Sequence, residues 1–190
     1  MNNTKRISEL VRELLILLGE DPEREGLVRT PDRVAKSLEF LTSGYRADST
    51  TVVNNAVFGS EANNMIIARD IEVYSLCEHH MLPFYGRCHI GYIAKERVLG
   101  ISKLARIVDL HARRLQIQER ITAHVARAIM GAVDAEGVGV VMECKHLCMM
   151  MRGVAKQNSI MTTSSVLGSF HEDEATRLEF LGLIGRDPTL

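Results

Sequence analysis

The sequence predicts an α+β fold in which helices pack against an antiparallel sheet. Two observations predict it. Several stretches repeat apolar residues at intervals of three and four, as amphipathic helices do, and others rich in Ile, Val and Tyr stand in pairs between them. The resulting order is helices, two strands, two helices, two strands, helix. The chain of 190 residues shows no internal repeat and no linker rich in Pro, Gly or Ser. Residues 1–50 are expected to form an N-terminal helical region and 51–190 one globular unit.

Residues 5–18 carry the first helical pattern. Thr30-Pro31-Asp32 reads as a helix start, with a capping hydroxyl, a proline in the first turn and an acid at the positive helix end. That helix is expected to reach about Thr42, before Gly44. Stretches 64–76 and 86–95 read as strands, joined through a loop or bulge from His79 to Gly86 that contains Pro83. Ser102 opens a helix from Lys103 to about Arg114. A break near Leu115 and Gln116 separates it from a second helix, Gln118 to Ala135, closed by Gly137. Residues 138–150 resemble a buried strand, 159–168 a further strand, and 172–183 a final helix.

Composition narrows the function classes. Net charge is −1, which gives no general basic surface for nucleic acid. The N-terminus lacks the apolar core of a signal peptide, and no apolar run approaches a membrane span. The cysteines at 77, 88, 144 and 148 are therefore expected to be reduced thiols or metal ligands of a soluble, cytoplasmic protein.

Cys77-Glu78-His79-His80 and Cys144-Lys145-His146-Leu147-Cys148 hold the densest chemistry. Two thiols and an imidazole suit a zinc ion that keeps one coordination position open. The C-x-x-H spacing lets Cys77 and His80 reach one ion. If the second segment is extended, residues 144, 146, 148, 150 and 152 share one face. Cys144 and Cys148 would then lie roughly 13 Å apart, so only one of them can join the ion. His79 and His146 are candidates for acid–base work. Lys103 and Arg106 sit three apart just past a helix start and suit a polyphosphate, or else form a solvated face. Arg33 and Lys36 repeat that spacing. Arg152, on the metal-facing side of its strand, needs an anionic partner. Gln118-Glu119 opens a helix; the acid either complements the helix terminus or accepts from the donor edge of a guanine.

Taken together, these segments resemble GTP cyclohydrolase I over nearly the whole chain. The resemblance rests on the segment from Arg29 to Lys36, on Ser75-Leu76-Cys77-Glu78-His79-His80 and on Gly100-Ile101-Ser102-Lys103-Leu104-Ala105-Arg106-Ile107-Val108. It rests further on Gln116-Ile117-Gln118-Glu119-Arg120, on His146-Leu147-Cys148 with Arg152-Gly153, and on the segment from Thr176 to Leu181. It implies the tunnelling fold, and hydrolysis of GTP to formate and 7,8-dihydroneopterin triphosphate at the head of pterin synthesis. Zn2+ would be held by Cys77, His80 and Cys148, leaving Cys144 spare. His79 and His146 would be catalytic, with Ser102 a further proton carrier. Lys103, Arg106 and Arg152 would hold the triphosphate, with Arg33 and Lys36 contributing. Glu119, helped by Gln118, would bind guanine. The family assembles as a ring of ten with sites between subunits, without nucleic acid or membrane. Leu115 stands where the family usually has proline, and no long N-terminal extension is expected. Two other readings stay open: a related purine or pterin enzyme, such as a nitrile reductase, and a non-catalytic zinc-stabilised nucleotide-binding module. A nucleobase deaminase would need H-x-E and P-C-x-x-C patterns that are absent.

Overall fold

The computed structural model describes residues 3–61 and 64–185. They divide into two compact units between Ser43 and Gly44. The first unit pairs helices α1 (Asn3–Leu17) and α2 (Thr30–Leu41). Ser8 donates a 2.7 Å hydrogen bond to Asp32. Thr30 is the first helical residue and not the cap. Arg29 takes the cap position without a side-chain bond, and the Thr30 hydroxyl lies 3.4 Å from the carbonyl of Gly26, in the preceding turn. Leu10, Leu14 and Leu17 of α1 are exposed.

A 3-10 turn (Ser43–Arg46) starts at the division, and the second unit continues with α3 (Ser49–Val53) and β1 (Val57–Gly59). The long strands β2 (Met65–Cys77) and β3 (Pro83–Ile93) form an antiparallel hairpin. Then follow β4 (Arg97–Leu99), α4 (Ile101–Ala112), β5 (Leu115–Gln116) and α5 (Gln118–Val133). The chain ends with β6 (Gly137–His146), α6 (Leu147–Met150), β7 (Met161–Gly168), α7 (Ser169–Glu172) and α8 (Glu174–Ile184). One sheet has the order β5-β2-β3-β6-β7, antiparallel except where β5 runs parallel to β2; β1 and β4 pair separately. The fold is α+β, as the sequence pattern predicts.

Helices α4 and α5 cover one face of the sheet. Their Leu104, Ile107, Ile121, Val125 and Ile129 bury against Val73, Phe84, Cys88, Ile90, Val140 and Met142. On the other face Phe170 and Phe180, from α7 and α8, pack on Val141. Gly91 and Gly139 make room for those rings, since a Cβ on either would stand 2.6 Å from one of them. No helix among the described residues is long and apolar enough to cross a membrane.

Four boundaries differ from the sequence reading. Strand β3 begins at Pro83 and not Gly86, because a first strand position tolerates a residue without an N–H. Helix α5 stops at Asp134 in the left-handed conformation (φ 49°), which aspartate adopts more readily than most residues; Gly137 starts β6 instead. The break at Leu115 is the strand β5, and the Leu115 amide donates to the Tyr45 hydroxyl at 3.1 Å, a bond proline could not make. Finally, β6 ends at His146. Residues 147–150 form a helical turn closed by Met151 N–H donating to Leu147 O, so residues 148, 150 and 152 do not continue the strand row.

Candidate metal centre

The hairpin loop between β2 and β3 folds on itself. Cys77 N–H donates to Leu82 O at 2.8 Å, while its carbonyl accepts from His80 and Met81. Met81 adopts φ 55° to close the turn. His80 is thereby returned to Cys77, with Nδ1 3.9 Å from the thiol. Strand β3 neighbours both β2 and β6, with Pro83 opposite Leu76 and Phe84 opposite His146. This register carries α6 and its Cys148 to the same sheet end. Ligand atoms of Cys77, His80 and Cys148 lie within 4.8 Å of one another, the one such cluster among the described residues. Two soft thiols and one imidazole suit a zinc-type ion and leave a fourth position open.

Cys144 stands apart from it. It is buried in the core beneath the helices, opposite Gly86, and burial pushes its thiol up to about 12. A thiol in that state is a core packing group.

His146, the last residue of β6, stacks flat on its cross-strand neighbour Phe84 at 4.6 Å and 8°. Its Nε2 lies 2.9 Å from Oε1 of Gln118. Gln118 is fully buried, and its amide nitrogen faces three acceptors: Met142 O and Met161 O at 2.9 Å and Thr163 Oγ1 at 3.1 Å. The nitrogen end is thereby fixed toward the strands and the oxygen toward His146. A carbonyl oxygen only accepts, so Nε2 of His146 carries the proton and Nδ1 is the free base. Burial holds the imidazole below its ordinary pKa, partly offset by the Glu119 carboxylate. Gln118 is thereby held against His146, with its side chain buried.

His79 is exposed, with Nδ1 3.8 Å from the Cys77 thiol. Arg152 is exposed and not buried, since α6 has replaced the strand; its Nη1 lies 3.0 Å from Nε2 of His80. Glu119 lies exposed at the start of α5. Sequence reasoning gave no role to Glu78 or Arg120, yet their 2.6 Å ion pair ties the metal loop to α5, and Arg120 also donates to Gln116 at 3.2 Å. The signal was available in the residue that follows Gln118-Glu119.

The remaining candidates stand on α4 and α2. Lys103 is buried and donates to Val52 O at 2.9 Å, while Ser102 and Arg106 are exposed nearby. All three lie in the first half of α4, whose far end leads into β5 beside Cys77. Helical rise puts Ser102 about 15 Å and Arg106 about 9 Å from that end. Arg33 and Lys36 are exposed on α2 of the first unit.

A family model described as GTP cyclohydrolase I matches residues 7–185. A protein of Coxiella burnetii (strain RSA 493 / Nine Mile phase I) named GTP cyclohydrolase 1 is 59% identical over 184 residues, 97% of this chain and 99% of that one. Proteins of the same name from Leptospira biflexa and Methylococcus capsulatus are 58% and 59% identical, each over 94% of this chain and over 97% and 95% of theirs. Among solved structures, the apo crystal structure of an archaeosine synthase QueF-Like is 15% identical over 57% of this chain and 97% of that one, with a TM-score of 0.48.

Proposed function

The chain belongs to the GTP cyclohydrolase I family, and on that premise we propose that it hydrolyses GTP to formate and 7,8-dihydroneopterin triphosphate with zinc held by Cys77, His80 and Cys148. The observation that carries this reading is the convergence of those three ligand atoms at one sheet end, with His146 only two residues before Cys148. Zinc bound there supplies a Lewis acid and lowers the pKa of a coordinated water toward neutrality.

The chain's own groups divide the remaining work. His146, neutral at rest, takes at Nδ1 the proton that water gives up on adding to C8 and delivers it to the guanine ring nitrogen released when the bond to C8 breaks. Gln118 and Phe84 fix the ring for that transfer. Glu119 accepts from the adjacent donors on the guanine edge, which places C8 toward the metal end. His79 and Ser102 carry protons during the ribose rearrangement that follows. Arg106, Lys103 and Arg152, with Arg33 and Lys36, grip a triphosphate that does not react; its binding energy orients the base.

The placement of Ser102 and Lys103 at the end of α4 remote from β5 and Cys77 supports sites completed by a second copy, in a ring of ten. Open sheet edges support the same reading. Among the described residues, strand β7 pairs only with β6, and β5 covers β2 only at Leu76 and Cys77. Such edges invite strand pairing between chains. The test of the activity is GTP turnover by zinc-loaded and chelator-treated protein, followed as formate and as pterin fluorescence. Metal-dependent appearance of both supports the reading. Bound nucleotide without formate would replace it with a binding module.

A further inference from the structure

A second concavity lies away from this site. Strand β3 leaves the metal end at Pro83 and runs to Ile93, about 33 Å off. Beyond it, α3, the β1–β4 pair and the C-terminal half of α5 enclose an open cavity of about 830 Å³. That volume suits a small organic ligand. Its walls are Ser49, Thr50 and Val53 of α3, with Asn55 and Val57, and Ala128, Gly131 and Ala132 of α5 form its floor.

Two guanidiniums, Arg97 and Arg127, line it, and no acid does. Neither has a hydrogen-bond or ion-pair partner among the described residues. Asp48, the acid nearest α3 in sequence, is occupied in capping that helix through Thr51 N–H and the Thr50 and Thr51 hydroxyls. Gly131 keeps the floor low, since a Cβ there would meet nothing within 4 Å and would project into open space.

We propose that this cavity binds a phosphomonoester carrying a compact apolar group. Two unpaired cations match a dianion, the Ser49 hydroxyl and the Asn55 amide add neutral hydrogen-bond donors, and the alanine–glycine floor takes the apolar part. The site shares no residue with the metal centre and is independent of the reading given above.

The test is calorimetric titration of the zinc-loaded protein with phenyl phosphate, with phenol as the uncharged control. Phenyl phosphate is expected to bind and phenol to give no signal at the same concentration. Arg97→Gln and Arg127→Gln should each weaken binding at least tenfold, and Gly131→Leu should abolish it. Formate release from GTP should stay at the wild-type rate in all three without the probe. Arg152→Ala should bind the probe as wild type does. Unchanged affinity in Arg127→Gln would overturn the proposal. So would loss of binding in Arg152→Ala, which would put the phosphate on the substrate cations. A lower oligomeric mass in Arg127→Gln or Gly131→Leu without the probe would identify the cavity as a contact between copies and overturn it equally.

Discussion

Oε1 of Gln118 lies 2.9 Å from Nε2 of His146, while the amide nitrogen of the same side chain faces three acceptors on β6 and β7. One buried amide therefore determines which imidazole nitrogen holds the proton. Gln118→Leu keeps similar bulk but removes the acceptor of His146 Nε2–H. A buried donor left without a partner costs about 1–3 kcal/mol. Turnover should fall by about 10²-fold, on the scale of a displaced acid–base group. KM for GTP and zinc content should stay near wild type. A raised KM with unchanged kcat would return Gln118 to substrate binding.

The loop that carries Cys77 and His80 is held from outside by the Glu78–Arg120 pair. Arg120 holds the Glu78 carboxylate below its usual range. Arg120→Ala should weaken zinc binding by roughly tenfold, the lower end of the effect of groups that orient metal ligands. Competition against a chromophoric chelator measures it. Unchanged affinity would show that the turn from Cys77 to Leu82 holds itself.

His111 gives stability a pH dependence. It is buried, neither ring nitrogen has a hydrogen-bond partner among the described residues, and it meets His124 edge-on at 5.3 Å. Burial, then the positive charge of His124, Arg114 and Arg127, pulls its pKa from 6.5 to about 4. The folded pKa lies below the unfolded one, so the unfolded chain takes up a proton that the folded chain refuses. Stability is fully present above pH 6.5 and is lost as pH falls toward 4. His111→Phe should flatten that slope in denaturant titrations at pH 7 and pH 5. An unchanged slope would assign it to other groups.

Shared sites predict complementation. Arg106→Ala and Cys148→Ala should each be inactive as pure proteins. Co-assembled by mixed refolding, they should recover part of the turnover, because some sites receive an intact Arg106 from one copy and an intact Cys148 from another. Absence of recovery would mean that each chain completes its own site.

Much of this was legible in the sequence because it depends on local spacing. Cys77 and His80 are three apart in a tight turn, and the strand and helix periods place β2, β3, α4 and α5 to within a few residues. What escaped depends on partners distant along the chain. Gln118 reads as a polar helix start, and only the strand carbonyls of Met142 and Met161 turn it into a buried clamp. Lys103 reads as an exposed phosphate ligand, yet it is buried and one of its three donors goes to Val52 O. The row from Cys144 to Arg152 failed because a Leu-Cys-Met-Met run folds as a helical turn as readily as it extends. Cys148 reaches the metal centre from that turn.

The most direct measurement is zinc content beside formate release for Cys148→Ala, Cys144→Ala and His146→Ala. The account predicts that Cys148→Ala loses both metal and turnover, that Cys144→Ala keeps both, and that His146→Ala keeps zinc and loses turnover. A metal-free His146→Ala, or a metal-free and inactive Cys144→Ala beside a zinc-loaded Cys148→Ala, would contradict it.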